Sequence, residues 1–180
     1  MSTYVEEIAM QLEALGVRAH ALRTDSRAVR AGDVFLAYPG AHSDGRRHIG
    51  DAIAAGASAV LWEKNGYAWN EAWRVPNLAV EGLRQTAGAL ADVIYGNPSE
   101  RVAVIAITGT NGKTTCSQWI AQAYAHFGRR AGVIGTLGIG YPGAYEPSPN
   151  TTPDPVVLQE ALKRFADDGA AAVALEASSI

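Results

Sequence analysis

Apolar residues recur at helical spacing over residues 4–15 (YVEEIAMQLEAL), which predicts a short amphipathic helix. Asp25-Ser26-Arg27 reads as a turn, and the run over 33–38 as a buried strand ended by Pro39-Gly40. HIGDAIAAGASAVLWE predicts a helix, a glycine stop at Gly56 and a strand over 59–62. RVPNLAVEG gives a further short strand, and GLRQTAGALADVIYG a helix that ends at Gly96-Asn97-Pro98. The pattern then changes. RVAVIAIT is continuously apolar, as in a parallel strand covered on both faces. A glycine loop, a helix over 113–127 and a second buried strand, AGVIG, follow. Residues 136–150, rich in Gly, Pro and Tyr, read as a loop. Thr152 reads as the N-cap of the next helix, with Pro153 at its first position. Leu158, Leu162 and Phe165 line one face of that helix, Gly169 stops it, and AAVALEA is a third buried strand.

This alternation predicts the α/β class. A small α/β domain over 1–97 is followed, after the Gly-Asn-Pro-Ser segment, by the start of a P-loop-type parallel-sheet domain over 98–180. Composition changes this picture little. The chain is 48% hydrophobic and 18% charged, so it has the material for a packed core. A net charge of −3 sets up no field for nucleic acid or anionic membrane, so an anionic ligand must be held by a local site. The lone Cys116 rules out an intrachain disulfide and fits a reducing compartment. The opening residues lack the basic and apolar regions of a signal peptide, and no apolar stretch is long enough to span a bilayer. A cytoplasmic protein that binds neither nucleic acid nor membrane is therefore expected.

The sharpest chemistry lies in AITGTNGKTT, residues 106–115, between a predicted strand and helix. Gly109 and Gly112 let the backbone turn so that its N–H groups face phosphate oxygens, and the helix N-terminus adds partial positive charge. Lys113 is placed for the β- and γ-phosphates, and the Thr114 hydroxyl for Mg²⁺. Ile107 stands where the full phosphate-loop pattern has its first glycine, so the match is to the shorter G-x-x-G-K-[ST]. Glu176 ends a buried apolar strand, where a carboxylate is costly unless paired or exposed. Ligands of open α/β sheets sit beyond such strand ends, and a carboxylate there can hold Mg²⁺. Other features read blandly. Trp62, Trp69 and Trp73 read as packing, Cys116 as a small packing residue, and Arg46, Arg47 and His48 as a solvated basic cluster.

TGTNGKTT resembles the ATP-loop signature of the Mur ligase family. TDSRAVRAGDVFLAYPG with DGRRHIGDAIAAGASAVLWE resembles the N-terminal domain of the branch of that family that adds the third amino acid, and NTTPDP and LEASS resemble two further segments of it. Together they cover nearly the whole chain in the right order. The resemblance implies a UDP-binding domain over 1–97 and a truncated central ATP-binding domain over 98–180. It implies ATP contacts at Gly109, Thr110, Asn111, Gly112, Lys113, Thr114 and Thr115, catalytic roles for Lys113 and Glu176, and Mg²⁺ at Thr114 and Glu176. Ser26, Ala41, His42 and Ser43 would contact the uridine diphosphate; Asn150, Thr151 and Thr152 would hold the muramoyl part; Ser178 and Ser179 would lie near substrate and metal. A histidine often follows that serine pair in the family, whereas Ile180 stands here.

The implied reaction uses ATP to convert the free carboxylate of UDP-MurNAc-L-Ala-D-Glu into an acyl phosphate. The amine of a third amino acid, meso-diaminopimelate or L-lysine, then attacks it to give the tripeptide, ADP and phosphate for peptidoglycan synthesis. Diaminopimelate is the expected amino acid and a monomer the expected state. The family has a longer central domain with a carbamylated lysine, and a third domain for the amino acid. The expectation is therefore that Ile180 is a truncation and that 180 residues alone do not turn over. The alternatives are another Mur ligase, a folylpolyglutamate synthase-like ligase, or a non-catalytic module that binds UDP-MurNAc peptides.

Overall fold

The computed structural model describes residues 2–40 and 43–178, so Ala41, His42 and Ser179 lie outside the described residues. Two compact units divide the chain, Met1–Ile94 and Tyr95–Ile180.

In the first unit α1 (Ser2–Ala14) buries Val5, Ile8 and Leu12, which stand three and four residues apart and so share one helical face. Strands β1 (Leu22–Arg23), β2 (Val34–Ala37), β3 (Ala59–Glu63) and β4 (Asn77–Val80) form an all-parallel sheet in that order. Val34–Ala37 and Ala59–Glu63 are buried at every position, as apolar strands covered on both faces should be. Helix α2 (Ile49–Ala54) provides the crossover from β2 to β3, and α3 (Leu83–Ile94) follows β4 and packs against α1. Trp62 stacks on Trp69 at 5.8 Å between ring centroids, and Trp69 meets Trp73 edge-on at 5.1 Å; all three belong to one apolar cluster, so the packing reading holds.

Arg46 departs from the sequence reading. Its side chain is buried rather than solvated, paired with Asp44 at 2.8 Å, and donates to the carbonyl oxygens of Asn65 (2.7 Å) and, more weakly, Glu63 (3.4 Å). The planar guanidinium has enough donors to stitch the 44–48 turn to the end of β3, which a motif-level reading of a basic cluster does not see.

In the second unit a short α4 (Pro98–Arg101) leads into β5 (Ala103–Ile107), then α5 (Lys113–His126), β6 (Ala131–Gly135), β7 (Gly138–Tyr141), β8 (Ala144–Glu146), α6 (Pro155–Asp167) and β9 (Ala172–Glu176). The sheet order is β5-β9-β6-β7-β8. β5, β9 and β6 are parallel, while β7 and β8 continue as an antiparallel meander. The α/β class and parallel sheets expected from the pattern are present, with three corrections.

The predicted loop over 136–150 contains β7 and β8, so the sheet has five strands rather than three. Its glycines hid them. A Cβ on Gly138 or Gly140 would come within 2.2 or 2.1 Å of the backbone oxygens of Glu146 or Ala144, so the close meander requires residues that propensity counts against strands. β5, expected to be covered on both faces, pairs among the described residues only with β9, and Val104 is 37% exposed. The third correction concerns α6. Its N-cap is Asp154, whose side chain accepts from Val156 N (2.8 Å), with Pro155 rather than Pro153 in the first turn. Thr-Pro and Asp-Pro offer the same signal two residues apart, and Thr152 is engaged elsewhere.

Candidate active site

The register of β5 against β9 sets the site. Ile107, the last residue of β5, pairs with Glu176, the last of β9, and Ala177 N donates to Ile107 O (2.8 Å). The loop that leaves β5 therefore starts beside the Glu176 carboxylate, at the carboxyl ends of two neighbouring parallel strands. Gly112, with φ +80°, turns that loop into α5 in a backbone conformation that other residues rarely adopt. The first helical bond of α5 runs from Cys116 N to Gly112 O (2.9 Å), so the amides of Lys113, Thr114 and Thr115 precede the helical ladder and are available to an anion. Lys113 Nζ donates to Gly109 O across the loop (2.6 Å).

A cavity of about 270 Å³ opens here. Its walls are loop residues Thr110 to Thr115, together with Thr136, Thr151, Glu176 and Ser178. Most of the second-unit residues singled out from the sequence thus meet in one place, and Gly109 adjoins them through Lys113. Thr152 stands just behind. Its hydroxyl donates to Glu176 O (3.0 Å) and accepts from Ser178 N (2.9 Å), tying the 150–152 segment to the end of β9. Asn150 does not line the cavity; its carbonyl accepts from Ser148 Oγ (2.9 Å).

Glu176 is fully buried, and among the described residues its carboxylate is compensated by hydroxyls alone. Thr114 Oγ1 donates to Oε2 (2.9 Å) and Thr136 Oγ1 to Oε2 (3.0 Å), while Ser117 Oγ shares its one proton between Oε1 (3.1 Å) and Thr114 O (2.9 Å). Such charge-assisted bonds are what a buried carboxylate needs when no cationic side chain pairs with it. Gly135 makes room for it: a Cβ there would stand 2.2 Å from Glu176 Oε1. Ser117 and Thr136 were not singled out from the sequence. The available signal was positional: Thr136 follows the second parallel strand directly, and Ser117 lies one turn into the helix after Lys113.

The donor set suits a small hard cation. Adjacent ligands of octahedral Mg²⁺, with bonds of roughly 2.0–2.1 Å, stand about 2.9 Å apart, and Thr114 Oγ1 lies 2.9 Å from Glu176 Oε2. Among the described residues no cluster of three or more His, Cys, Asp or Glu is present. Cys116, read as a packing residue, is exposed on α5 instead.

The first-unit candidates belong to a different part of the molecule. Ser26 opens a short 3-10 turn after β1, and Ser43 follows β2, its carbonyl accepting from Gly40 N (2.8 Å). Both therefore lie past the carboxyl ends of paired parallel strands. Asp25 accepts from Arg27 N (3.0 Å) and pairs with the Arg27 guanidinium (2.6 Å), so the turn reading of that segment holds. The Arg27 side chain, by hydrogen bonding, holds the Asp25 carboxyl below its ordinary range, and Arg46 does the same to Asp44.

The chain is similar to several known proteins. The UDP-N-acetylmuramoyl-L-alanyl-D-glutamate--2,6-diaminopimelate ligase of Nitrosomonas europaea is 50% identical over 171 residues, 95% of this chain and 33% of the relative. Its counterpart in Pseudomonas aeruginosa is 49% identical over 158 residues, 88% of this chain and 32% of the relative. The chain thus spans about a third of the length of the curated relatives it matches. A solved structure of a UDP-N-acetylmuramoyl-L-alanyl-D-glutamate--2,6-diaminopimelate ligase superposes with a TM-score of 0.67 at 32% identity, covering 89% of this chain and 32% of that one. MurF ligase from Thermotoga maritima in complex with ADP shares the fold at TM-score 0.59 and 23% identity, over 91% of this chain and 33% of that one. The model described as "Mur ligase family, catalytic domain" matches residues 8–95, and the "Mur ligase middle domain" matches 107–180; the chain belongs to the Mur ligase family.

Proposed function

We propose that this chain provides the uridine-nucleotide unit and the phosphate loop of a cytoplasmic, MurE-type ligase, an ATP-dependent enzyme that joins meso-diaminopimelate to UDP-MurNAc-L-Ala-D-Glu in peptidoglycan precursor synthesis. The observation that carries the reading is the meeting of Lys113, Thr114 and Glu176 around one cavity at the carboxyl ends of β5 and β9. The relatives named as diaminopimelate ligases at up to 50% identity support the choice of branch. The loop fits ATP because its amides, Gly112 turn and lysine form an anion cradle.

In this reading the substrate carboxylate attacks the γ-phosphorus of ATP, the bond to the β-γ bridging oxygen breaks, and ADP leaves. The amine of the amino acid then attacks the acyl phosphate carbon and expels phosphate as the amide forms. Phosphoryl transfer is catalysed chiefly by positioning and charge compensation. The amides of 113–115 and the Lys113 ammonium bind and orient the phosphates, and Thr152 fixes the segment 150–152 beside them. Thr114 and Glu176 are the residues that would hold Mg²⁺, which supplies charge neutralisation at the phosphates. Ser26, Ala41, His42 and Ser43 are proposed as uridine diphosphate contacts, and Thr151, Thr152, Ser178 and Ser179 as muramoyl contacts.

Calorimetric titration of the chain with UDP-MurNAc-L-Ala-D-Glu tests the branch. Saturable binding that is lost on Ser26→Ala combined with His42→Ala supports it. Equal binding by that double variant, or binding of a folate in place of the muramoyl nucleotide, overturns it.

A further inference from the structure

Ser117 and Thr136 lie outside the loop signature, yet both reach the carboxylate that the signature depends on. Ser117 is fully buried. Its Oγ lies 2.9 Å from Thr114 O and 3.1 Å from Glu176 Oε1, so one hydroxyl spans the first turn of α5 and the carboxylate. Thr136 Oγ1 lies 3.0 Å from Glu176 Oε2 and 3.2 Å from Thr151 Oγ1. A carboxylate only accepts, so Thr136 gives it its single proton and is left to accept from Thr151. Oε1 is thereby held by Ser117, one turn into α5, while Oε2 is held by Thr114 and Thr136, both of which line the cavity.

We propose that Ser117 and Thr136 are positioning residues that fix the Glu176 carboxylate with Oε2 presented to the metal position, and so set how strongly Mg²⁺ assists nucleotide binding. The inference rests on reading the cavity as a Mg²⁺-nucleotide site. The physical reason is that a cation taking Oε2 and Thr114 Oγ1 displaces the Thr114 proton from the carboxylate. Ser117 and Thr136 then remain as the groups that stop the carboxylate from turning. Without them the side chain regains rotamer freedom, which must be lost again on binding. Thr136 has a second consequence: through Thr151 it links the carboxylate to the segment proposed to hold the muramoyl substrate.

The experiment is calorimetric titration of the 180-residue chain with ADP, in Mg²⁺ and in EDTA, for wild type, Ser117→Ala, Thr136→Val and Thr136→Ser. Outer-shell partners of metal ligands characteristically alter metal affinity by about 10- to 100-fold. The ratio of ADP affinities with and without Mg²⁺ is expected to fall by about tenfold or more in Ser117→Ala and Thr136→Val. Thr136→Ser, which keeps the hydroxyl, should retain the wild-type ratio. The proposal is overturned if both hydroxyl-deleting variants keep the wild-type ratio, or if they weaken ADP equally in Mg²⁺ and EDTA, as a merely structural role would. A wild type that binds ADP in neither condition overturns the phosphate-site reading and this inference with it, whereas wild-type binding with unchanged variants overturns the inference alone. Circular dichroism checks folding; if Thr136→Val is unfolded, Ser117→Ala decides by the same criterion.

Discussion

Replacing Gly135 by alanine tests whether the Glu176 carboxylate is built into the end of the sheet. The added Cβ would stand 2.2 Å from Oε1, 2.4 Å from Cδ and 2.7 Å from Cγ of Glu176. Gly135 is not among the positive-φ glycines, so its backbone accepts alanine, and restriction of the unfolded chain alone would stabilise by about 0.4–1 kcal/mol. Against this, the carboxylate must leave a position where Thr114 and Thr136 donate to it and Ser117 shares its proton with it. A hydrogen bond to a charged group contributes roughly 1.5–3 kcal/mol. Turning towards the cavity lets water replace part of that, so a net loss of about 2–4 kcal/mol is expected, in the range of overpacked cores. For a unit of this size each kcal/mol moves the melting temperature by about 4–8 °C, so a fall of roughly 8–32 °C is predicted. Thermal unfolding followed by circular dichroism reads it for wild type, Gly135→Ala, Glu176→Ala and the double variant. With Glu176 shortened, the new methyl has room, and the penalty should disappear or become a small gain. Wild-type melting of Gly135→Ala, or the same penalty in the Glu176→Ala background, would show that the Glu176 carboxylate is not packed against Gly135.

Three further outcomes are expected. Lys113→Ala should weaken ADP binding by roughly 10- to 100-fold in calorimetry, the worth of a charge-assisted contact to phosphate. The Asp44 carboxyl is held below its ordinary range chiefly by hydrogen bonds from Arg46; its folded pKa lies below the unfolded one, so its contribution is present above the ordinary value near 4 and fades as pH falls through the folded value. Asp44→Asn should therefore lower stability at pH 7 by about 1–2 kcal/mol in urea unfolding, a difference that shrinks as pH drops below about 4. Thr152→Val removes the bridge between Glu176 O and Ser178 N and should speed amide exchange at Ser178 by NMR, while leaving amides in the middle of α6 unchanged.

Most elements were legible because their patterns are strong. The Val34–Ala37, Ala59–Glu63 and Ala172–Glu176 strands are apolar along their length and buried throughout, and the α1 stripe recurs at helical spacing. That residues 110–115 and Glu176 belong together was legible because the glycines, lysine and hydroxyl stand in a fixed local order between strand and helix, and a lone carboxylate ends a buried parallel strand. The rest depended on contacts distant in sequence. Gly138 and Gly140 look like loop residues until the backbone approaching them is seen. Arg46 looks solvated until Asn65, nineteen residues away, supplies its acceptor. Ser117 and Thr136 gain meaning only from a carboxylate 59 and 40 residues further on. Thr152 was singled out for two roles; the cap belongs to Asp154, and its hydroxyl instead anchors the end of β9.

The loop over 108–115 and Glu176 are proposed to form one Mg²⁺-nucleotide site. The most direct test is a crystal structure of the chain with Mg²⁺ and the non-hydrolysable ATP analogue AMPPNP. The β- and γ-phosphates are expected on the amides of residues 112–115, with Lys113 Nζ moved from Gly109 O to phosphate and the metal roughly 2.1 Å from Thr114 Oγ1 on the Glu176 side of the cavity. Phosphates seated away from this loop, or a metal touching neither Thr114 nor Glu176 directly or through one water, would contradict it.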